Sequence, residues 1–453
     1  VDLWYAHRLT VDTAGHSIAM SGVIRDQSAT TGGSLTKTGS GTLTLTGANT
    51  YSGGTNLYGG TISVGNNSAL GINTSRVYAY GNTIDIQDGI TLSNPISLGT
   101  NLNLNVASGA TGTYAGQVDN GAGDPSFLVK TGGGVLILTN SNAPDLGAIL
   151  HEGTVRVDVS NALGPAEITL DGGTLQAGAA ALTLLNRGIF MNAPGGTIDT
   201  NGFDLTFNGP IQNSDGPGQL TKIGTGTFWL GGTAGGSTYS GPTVVSAGTF
   251  AAAGTNTFSA NSALTIAAGA TLDLGGYSQE TGSLTGGGSI TNSGAAGATL
   301  TTNIDSGTAT FGGVIGDGTG VLSLTKTGAG TQILSNINTY TGASAIQAGT
   351  LALSGIGSIA ASSGVAVAGT LDVSQTAGGT SLKTLSGAGT VALGSKTLTI
   401  TSGSGTFAGV IADGGLGGGT GGGLTLTGGM QTLSGANTYT GATTVNAGTL
   451  ALG

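Results

Sequence analysis

Leu35-Thr-Lys37-Thr-Gly39-Ser-Gly41-Thr-Leu43-Thr-Leu45-Thr-Gly47-Ala-Asn49-Thr-Tyr51-Ser-Gly53, closed shortly afterwards by Gly60-Thr61-Ile62, decides the fold. The string returns with varying fidelity from Leu128, Leu220, Leu324 and Leu424. Lys37, Lys130, Lys222 and Lys326 hold one slot at steps of 93, 92 and 104 residues, and Leu426 takes it in the fifth copy. A second marker agrees: a glycine at 22, 116, 209, 313 and 409, in Ser-Gly-Val-Ile, Ala-Gly-Gln-Val, Gly-Pro-Ile, Gly-Gly-Val-Ile and Ala-Gly-Val-Ile. Units repeated every hundred residues or so stack in a row rather than fold around one core.

A shorter period is nested inside. Gly-Thr before an apolar residue places Val155, Leu175 and Ile198 at steps of 20 and 23, and Leu351, Leu371 and Val391 at steps of 20. That is the size of one β-solenoid coil, a few short strands each ended by Gly or Asn able to take positive φ. Strand chemistry agrees: residues 42–46, 83–86, 102–106 and 397–401 alternate Leu, Ile or Val with Thr, Asn or Asp, the period of a half-buried strand. The expected fold is all-β, a single right-handed parallel β-helix of about 20 coils in five imperfect super-repeats, four or five coils each. At about 4.8 Å per coil such a rod is on the order of 100 Å long.

Composition removes the alternatives. Glycine is 91 of 453 residues, but only 8 prolines and no every-third-residue pattern exclude collagen. With 38% hydrophobic and 7% charged residues, the chain is not a disordered polyelectrolyte. No linker interrupts it, so residues 1–453 read as one continuous solenoid, and the tract 415–423 as an enlarged loop on it. The net charge of −10 carries no basic run, which excludes nucleic acid as a partner. The absence of cysteine means no disulfides. No apolar run spans a membrane, and the chain begins without Met or an apolar leader, as expected of a processed or excerpted protein.

The string 35–64 resembles the autotransporter-associated β-strand repeat, also called the passenger-associated transport repeat, of bacterial surface proteins. Leu35 to Val64, Leu324 to Leu353 and Leu433 to Leu452 carry it best, centred on Asn49-Thr50-Tyr51, Asn338-Thr339-Tyr340 and Asn437-Thr438-Tyr439. The copies near 35–64, 128–157, 220–251, 324–353 and 424–452 cover about a third of the chain. The second has Asn142-Ala143-Pro144, the third three extra residues before Tyr239, and the fifth has lost the Lys. The resemblance implies a passenger-type parallel β-helix exported across an outer membrane, with a translocator as its partner in export. It also implies that the repeat is structural rather than catalytic. The chain ends at Thr449-Leu-Ala-Leu-Gly453 without barrel strands. A mature or excerpted passenger, or a surface protein anchored another way, is implied.

The recurring residues read as scaffold. The lysines at 37, 130, 222 and 326 are expected singly on a solvent face, four or five coils apart, rather than as an anion ladder. Asn49, Asn142, Asn338 and Asn437 are expected at turns, their amides bonding nearby backbone. Tyr51, Tyr239, Tyr340 and Tyr439 are expected to cover strand edges at turns; a sugar-stacking row is the sharper alternative. Asp85 with Asp88, and Asp199 with Asp204, read as turn formers rather than acid–base pairs. His7, His16 and His151 lack metal spacing, although His7 and His16 could meet across coils with Asp12. The tracts at Asp124 and Asp317 lack the tandem nonapeptides of a calcium solenoid, and scattered Thr-x-Thr pairs do not form an ice-binding file.

No catalytic, cofactor-binding or metal-binding residue is therefore assigned, and no cofactor is expected. The expected function is an extracellular structural β-solenoid at a bacterial surface: a stalk, fibre or adhesin scaffold, not an enzyme. One alternative is a ligand-binding adhesin using loops such as 112–127 or 413–423 for host, matrix or glycan ligands; another is a polysaccharide-acting enzyme. Termini without a polar cap also raise end-to-end self-assembly with further copies.

Overall fold

The structure, a computed structural model, describes residues 1–3, 7–27, 32–120, 126–143, 146–184, 187–232 and 236–453. Among them every regular element is a strand, none longer than seven residues, and the strand ladders are parallel. Together the strands make about 20 turns of a β-solenoid. The chain comprises two compact units, Val1–Phe228 and Trp229–Gly453.

In the first unit a full coil has three short strands. Val77–Ala79, Thr83–Ile86 and Thr91–Leu92 make one, and Ile96–Leu98, Leu102–Asn105 and Thr111–Tyr114 the next. Each strand pairs in parallel with its counterpart one coil on, which builds a six-stranded, a ten-stranded and a third sheet as three faces. Register runs straight up the stack: Leu43, Ile62, Ile84 and Leu104 form one column, all fully buried. Thr42, Thr61, Thr83 and Asn103 form the column beside it, on the outer surface. Alternation with period two thus becomes an apolar interior clad in hydroxyls and amides.

The second unit is built alike. Leu351, Leu371, Val391 and Ile411 stack in one buried column. A nine-stranded sheet runs from Gln279–Thr281 to Thr449–Leu452, and a four-stranded sheet from Thr380–Leu382 to Thr443–Val445.

The long repeat does not contain a whole number of turns. Starting at Ser34–Thr38, the chain returns to the six-stranded sheet four times, at Thr55–Leu57, Val77–Ala79, Ile96–Leu98 and Val118–Asn120. The next Lys-bearing strand, Phe127–Thr131, then falls one face on, in the ten-stranded sheet; four returns later Leu220–Ile223 falls in the third. In the second unit the corresponding step, from Leu322–Thr327 to Gly423–Leu426, advances two faces. Within each unit, equivalent residues of successive copies therefore look in different directions and form neither an anion ladder nor a sugar-stacking row.

Candidate functional site: the clamp in each repeat

The lysines are not on a solvent face. Lys37, Lys130, Lys222 and Lys326 are at most 2% exposed, which corrects the sequence-based expectation. Each lies between inward-facing neighbours, and its ammonium turns back on the following corner. Lys37 Nζ donates to the carbonyls of Thr38 at 2.8 Å, Gly39 at 2.6 Å and Gly59 at 2.8 Å, the last one coil on. Lys130 donates likewise to Thr131, Gly132 and Glu152, and Lys326 to Thr327, Gly328 and Ala348. Lys222 donates to Ile223 and Gly224 at 2.9 Å and to the Thr200 hydroxyl at 3.0 Å. Burial alone would make an ammonium costly, and a set of carbonyls fixed at a corner replaces its water. Desolvation still lowers the pKa of all four, Lys130 and Lys222 to about 8, opposed by Glu152 for the former and by Asp199 and Asp204 for the latter. The corner needs glycine: Gly39 has φ of +73°, and a Cβ there would sit 2.6 Å from Ala14 N.

After the second strand of each repeat the third face has no strand, and in the first, second, fourth and fifth copies an asparagine stands in the gap; the third copy has none there. Asn49 Oδ1 accepts from Ile24 N at 2.8 Å, one coil before, while its Nδ2 donates to Ala69 O at 2.6 Å, one coil after. Asn142 joins Val118 N to Ala162 O, and Asn338 joins Ile315 N to Ser358 O, in the same way. In the fifth copy Asn437 accepts from Ile411 N at 2.9 Å. The amide presents a donor and an acceptor in the spacing of a peptide group, so it continues the ladder where the main chain has left it. These asparagines do bond backbone at a turn as expected, but backbone some 20–25 residues away in the chain.

Two further contacts complete the clamp. Asp26, two residues beyond Ile24, accepts from the N–H of Ser52 at 3.0 Å and its hydroxyl at 2.6 Å. Asp317 holds Thr341 and Asp413 holds Thr440 in the same way. Burial would raise the Asp317 carboxyl, but these bonds and that from Leu322 N hold it below its usual value. The tyrosine between Asn and Ser/Thr lies deeper than a ring covering a turn. Tyr51, Tyr239 and Tyr340 are buried, and each hydroxyl shares a hydrogen bond with the Ser or Thr four residues on: Thr55, Thr243 and Ser344. Burial pushes the phenol of Tyr239 up to about 12 and those of Tyr51 and Tyr340 higher. Tyr439 keeps the bond to Thr443 at 2.6 Å but is only half-buried.

The other sequence candidates are dispersed. Asp85 bonds Ser63 and Asn105, Asp88 accepts from Thr111 N, Asp199 bonds Gln176 and Asn201 N, and Asp204 accepts from Thr227 N. Both pairs fasten their own coil to its neighbours. His7 and His16 are exposed, Asp12 caps the N–H of Ala14, and His151 pairs with Asp171. Among the described residues no three His, Asp or Glu side chains gather as a metal set. Asp124, Pro144 and the insertion at 233–235 lie outside the described residues, as does part of the 112–127 loop. The 413–423 loop folds back two coils: Leu416 N donates to Asp372 at 2.6 Å and Gly417 N to Ser374 at 2.7 Å.

Sequence reading missed the buried amides outside the Asn-Thr-Tyr slot. Gln332 occupies the inward position that Leu43 holds in the first copy. Its Nε2 donates to the carbonyls of Leu284 at 2.9 Å and Ala309 at 3.2 Å, reaching down two coils. There the neighbouring strands Leu284–Gly286 and Thr308–Phe311 pair only through Gly286 and Phe311, so the backbone of Leu284 lacks its ladder partner. Gln431 repeats this in the fifth copy, reaching Leu385 O at 3.0 Å across the single pairing of Gly387 with Phe407. A Gln at an apolar beat of Thr-Gln-Ile-Leu was the available signal.

With this geometry in place, the comparisons with known proteins become specific. The family model for the passenger-associated transport repeat matches residues 35–64, 128–145, 220–252, 324–353 and 424–452, the segments that carry the clamp. The chain carries five passenger-associated transport repeats. The adhesin BmaC autotransporter of Brucella suis biovar 1 (strain 1330) is 32% identical over 251 residues, which make up 54% of this chain. The matched stretch spans only 6% of that relative's length. No solved structure matches the chain. The transport repeats and the adhesin relative support a place outside the cell or on its surface, reached by export across the outer membrane.

Proposed function

We propose that this chain is a structural β-solenoid of a bacterial surface protein, a stalk or adhesin scaffold that holds binding regions away from the cell. One observation carries the reading: the repeated Lys, Asn and Asp side chains are engaged by the chain's own neighbouring coils, and the buried repeat Tyr hydroxyls by a Ser or Thr four residues on. A side chain so engaged holds architecture. We read the coils of both units as one scaffold. The finer parts of the proposal are recognition of host, matrix or glycan ligands and association of further copies end to end.

Immunolabelling of intact bacteria that make the full-length protein tests the reading. Surface label on unpermeabilised cells, and bacterial attachment lost on deleting this region, are expected. Label seen only after permeabilisation, or reducing ends released from polysaccharides by the purified chain, would overturn it.

A further inference from the structure

Two exposed tyrosines of the first unit that the repeat does not use mark a different kind of place. Tyr58 and Tyr80 follow the strands Thr55–Leu57 and Val77–Ala79 at the same corner, one coil apart. Their rings stack with centroids 4.9 Å apart and planes 17° from parallel, and they remain 48% and 45% exposed. The next residue up this corner is Gly99, where any side chain would collide with the Tyr80 ring. Beyond the tyrosine stack opens a surface cleft of about 390 Å³, lined by Gly81, Gly99, Thr100, Asn101, Asn103, Ser126 and Val129. That volume falls within the roughly 300–1,000 Å³ of small-ligand sites.

The lining selects a ligand class. Among the described residues no ionisable side chain borders the cleft, and the lining they provide offers nothing to a phosphate backbone or a carboxylate. Strands on both sides of the corner are already paired, so it offers no open edge to an extended peptide. What it offers is hydroxyls, glycine backbone and amides. The Asn101 amide oxygen is taken by Phe127 N at 2.9 Å, whereas the Asn103 side chain, on the outer column, makes no hydrogen bond among the described residues. At the rim, packed against Gly99, lies the Tyr80 ring with its apolar body and polar tip. Neutral amides beside exposed tyrosines suit a polyhydroxylated ligand, whose hydroxyls meet amides while its C–H surface lies on a ring.

We propose that the cleft between the Tyr58–Tyr80 stack and Asn103 binds an uncharged saccharide. The proposal rests on the surface-scaffold reading above and gives it a ligand class. It places the site where two faces meet near the middle of the first unit, away from the repeated residues.

The test is an array of neutral and acidic oligosaccharides probed with the purified chain, with any hit followed by calorimetric titration. Wild type is expected to bind at least one neutral oligosaccharide. Asn103→Ala and Tyr80→Ala are each expected to weaken that binding tenfold or more, about 1.4 kcal/mol. Asn103 faces outward, so Asn103→Ala should keep the wild-type circular dichroism and melting midpoint, separating loss of ligand from loss of fold. No binding to any neutral oligosaccharide, binding only to acidic ones, or hits unaffected by Asn103→Ala would overturn the proposal. Surface labelling would survive each of these results, so failure of the site and failure of the scaffold reading are distinguishable.

Discussion

The side-chain oxygen of Asn49 accepts the backbone N–H of Ile24 at 2.8 Å, so a side chain stands where a neighbouring strand would otherwise stand. Ile24 is fully buried, and its amide has no water to turn to. Asn49→Ala leaves the N–H of Ile24 and the carbonyl of Ala69 without this partner. Its expected cost is about 1–3 kcal/mol. Urea unfolding checks this; Asn437→Ala, in a half-exposed copy, should cost less.

Tyr340 separates packing from hydrogen bonding. Tyr340→Phe keeps the ring and loses only the bond to Ser344, which is still held by Ser362 at 3.0 Å, so a loss of about 0.5–1.5 kcal/mol is expected. Tyr340→Ala empties a fully buried site and should cost about 3–5 kcal/mol. Equal losses in the two variants, measured by denaturant midpoint, would contradict this division.

The buried ammonium groups predict an alkaline optimum. Lys130 and Lys222 are lowered from 10.5 to about 8, so between those values the unfolded chain binds more protons and stability rises with pH. Tyr239 is raised from 10.0 to about 12, so above about pH 10 the unfolded chain loses its proton first and stability falls. The urea midpoint should therefore climb from pH 8 towards 10 and then drop. In Lys130→Met/Lys222→Met the climb should diminish, while the carbonyls left without a donor lower stability overall by roughly 1–3 kcal/mol. A climb undiminished in the double variant would assign it to other groups.

Arg187 is the opposite case. It is 3% exposed, its three guanidinium nitrogens have no hydrogen-bond partner among the described residues, and burial lowers its pKa to about 10. An uncompensated buried charge opposes folding, so Arg187→Met is expected to raise stability by about 1–4 kcal/mol. A destabilised variant in thermal unfolding would show that the guanidinium has a partner in solution.

The coil was legible because its signals are local. Alternation at 42–46 and 83–86, and Gly-Thr at steps of about 20, follow directly from strand period and turn chemistry. What escaped was set by the stack. Lys37 reads as a surface residue until Gly59, 22 residues on, comes to rest over the same corner and receives its ammonium. Gln332 breaks an apolar beat for the sake of Leu284, 48 residues away. Tyr58 and Tyr80 carry no repeat signature at all, and only the coil height makes them neighbours.

The central claim is that the asparagines of the first, second and fourth repeats each clamp three successive coils, and native-state hydrogen exchange on Asn338→Ala tests it most directly. In the wild type the amide of Ile315, bonded to the Asn338 side chain at 2.9 Å, should exchange as slowly as the ladder amides of Leu322–Thr327. In the variant its protection should fall at least tenfold, together with that of the Ile337–Ser358 bridge above it. Unchanged protection of Ile315 in Asn338→Ala would contradict the account.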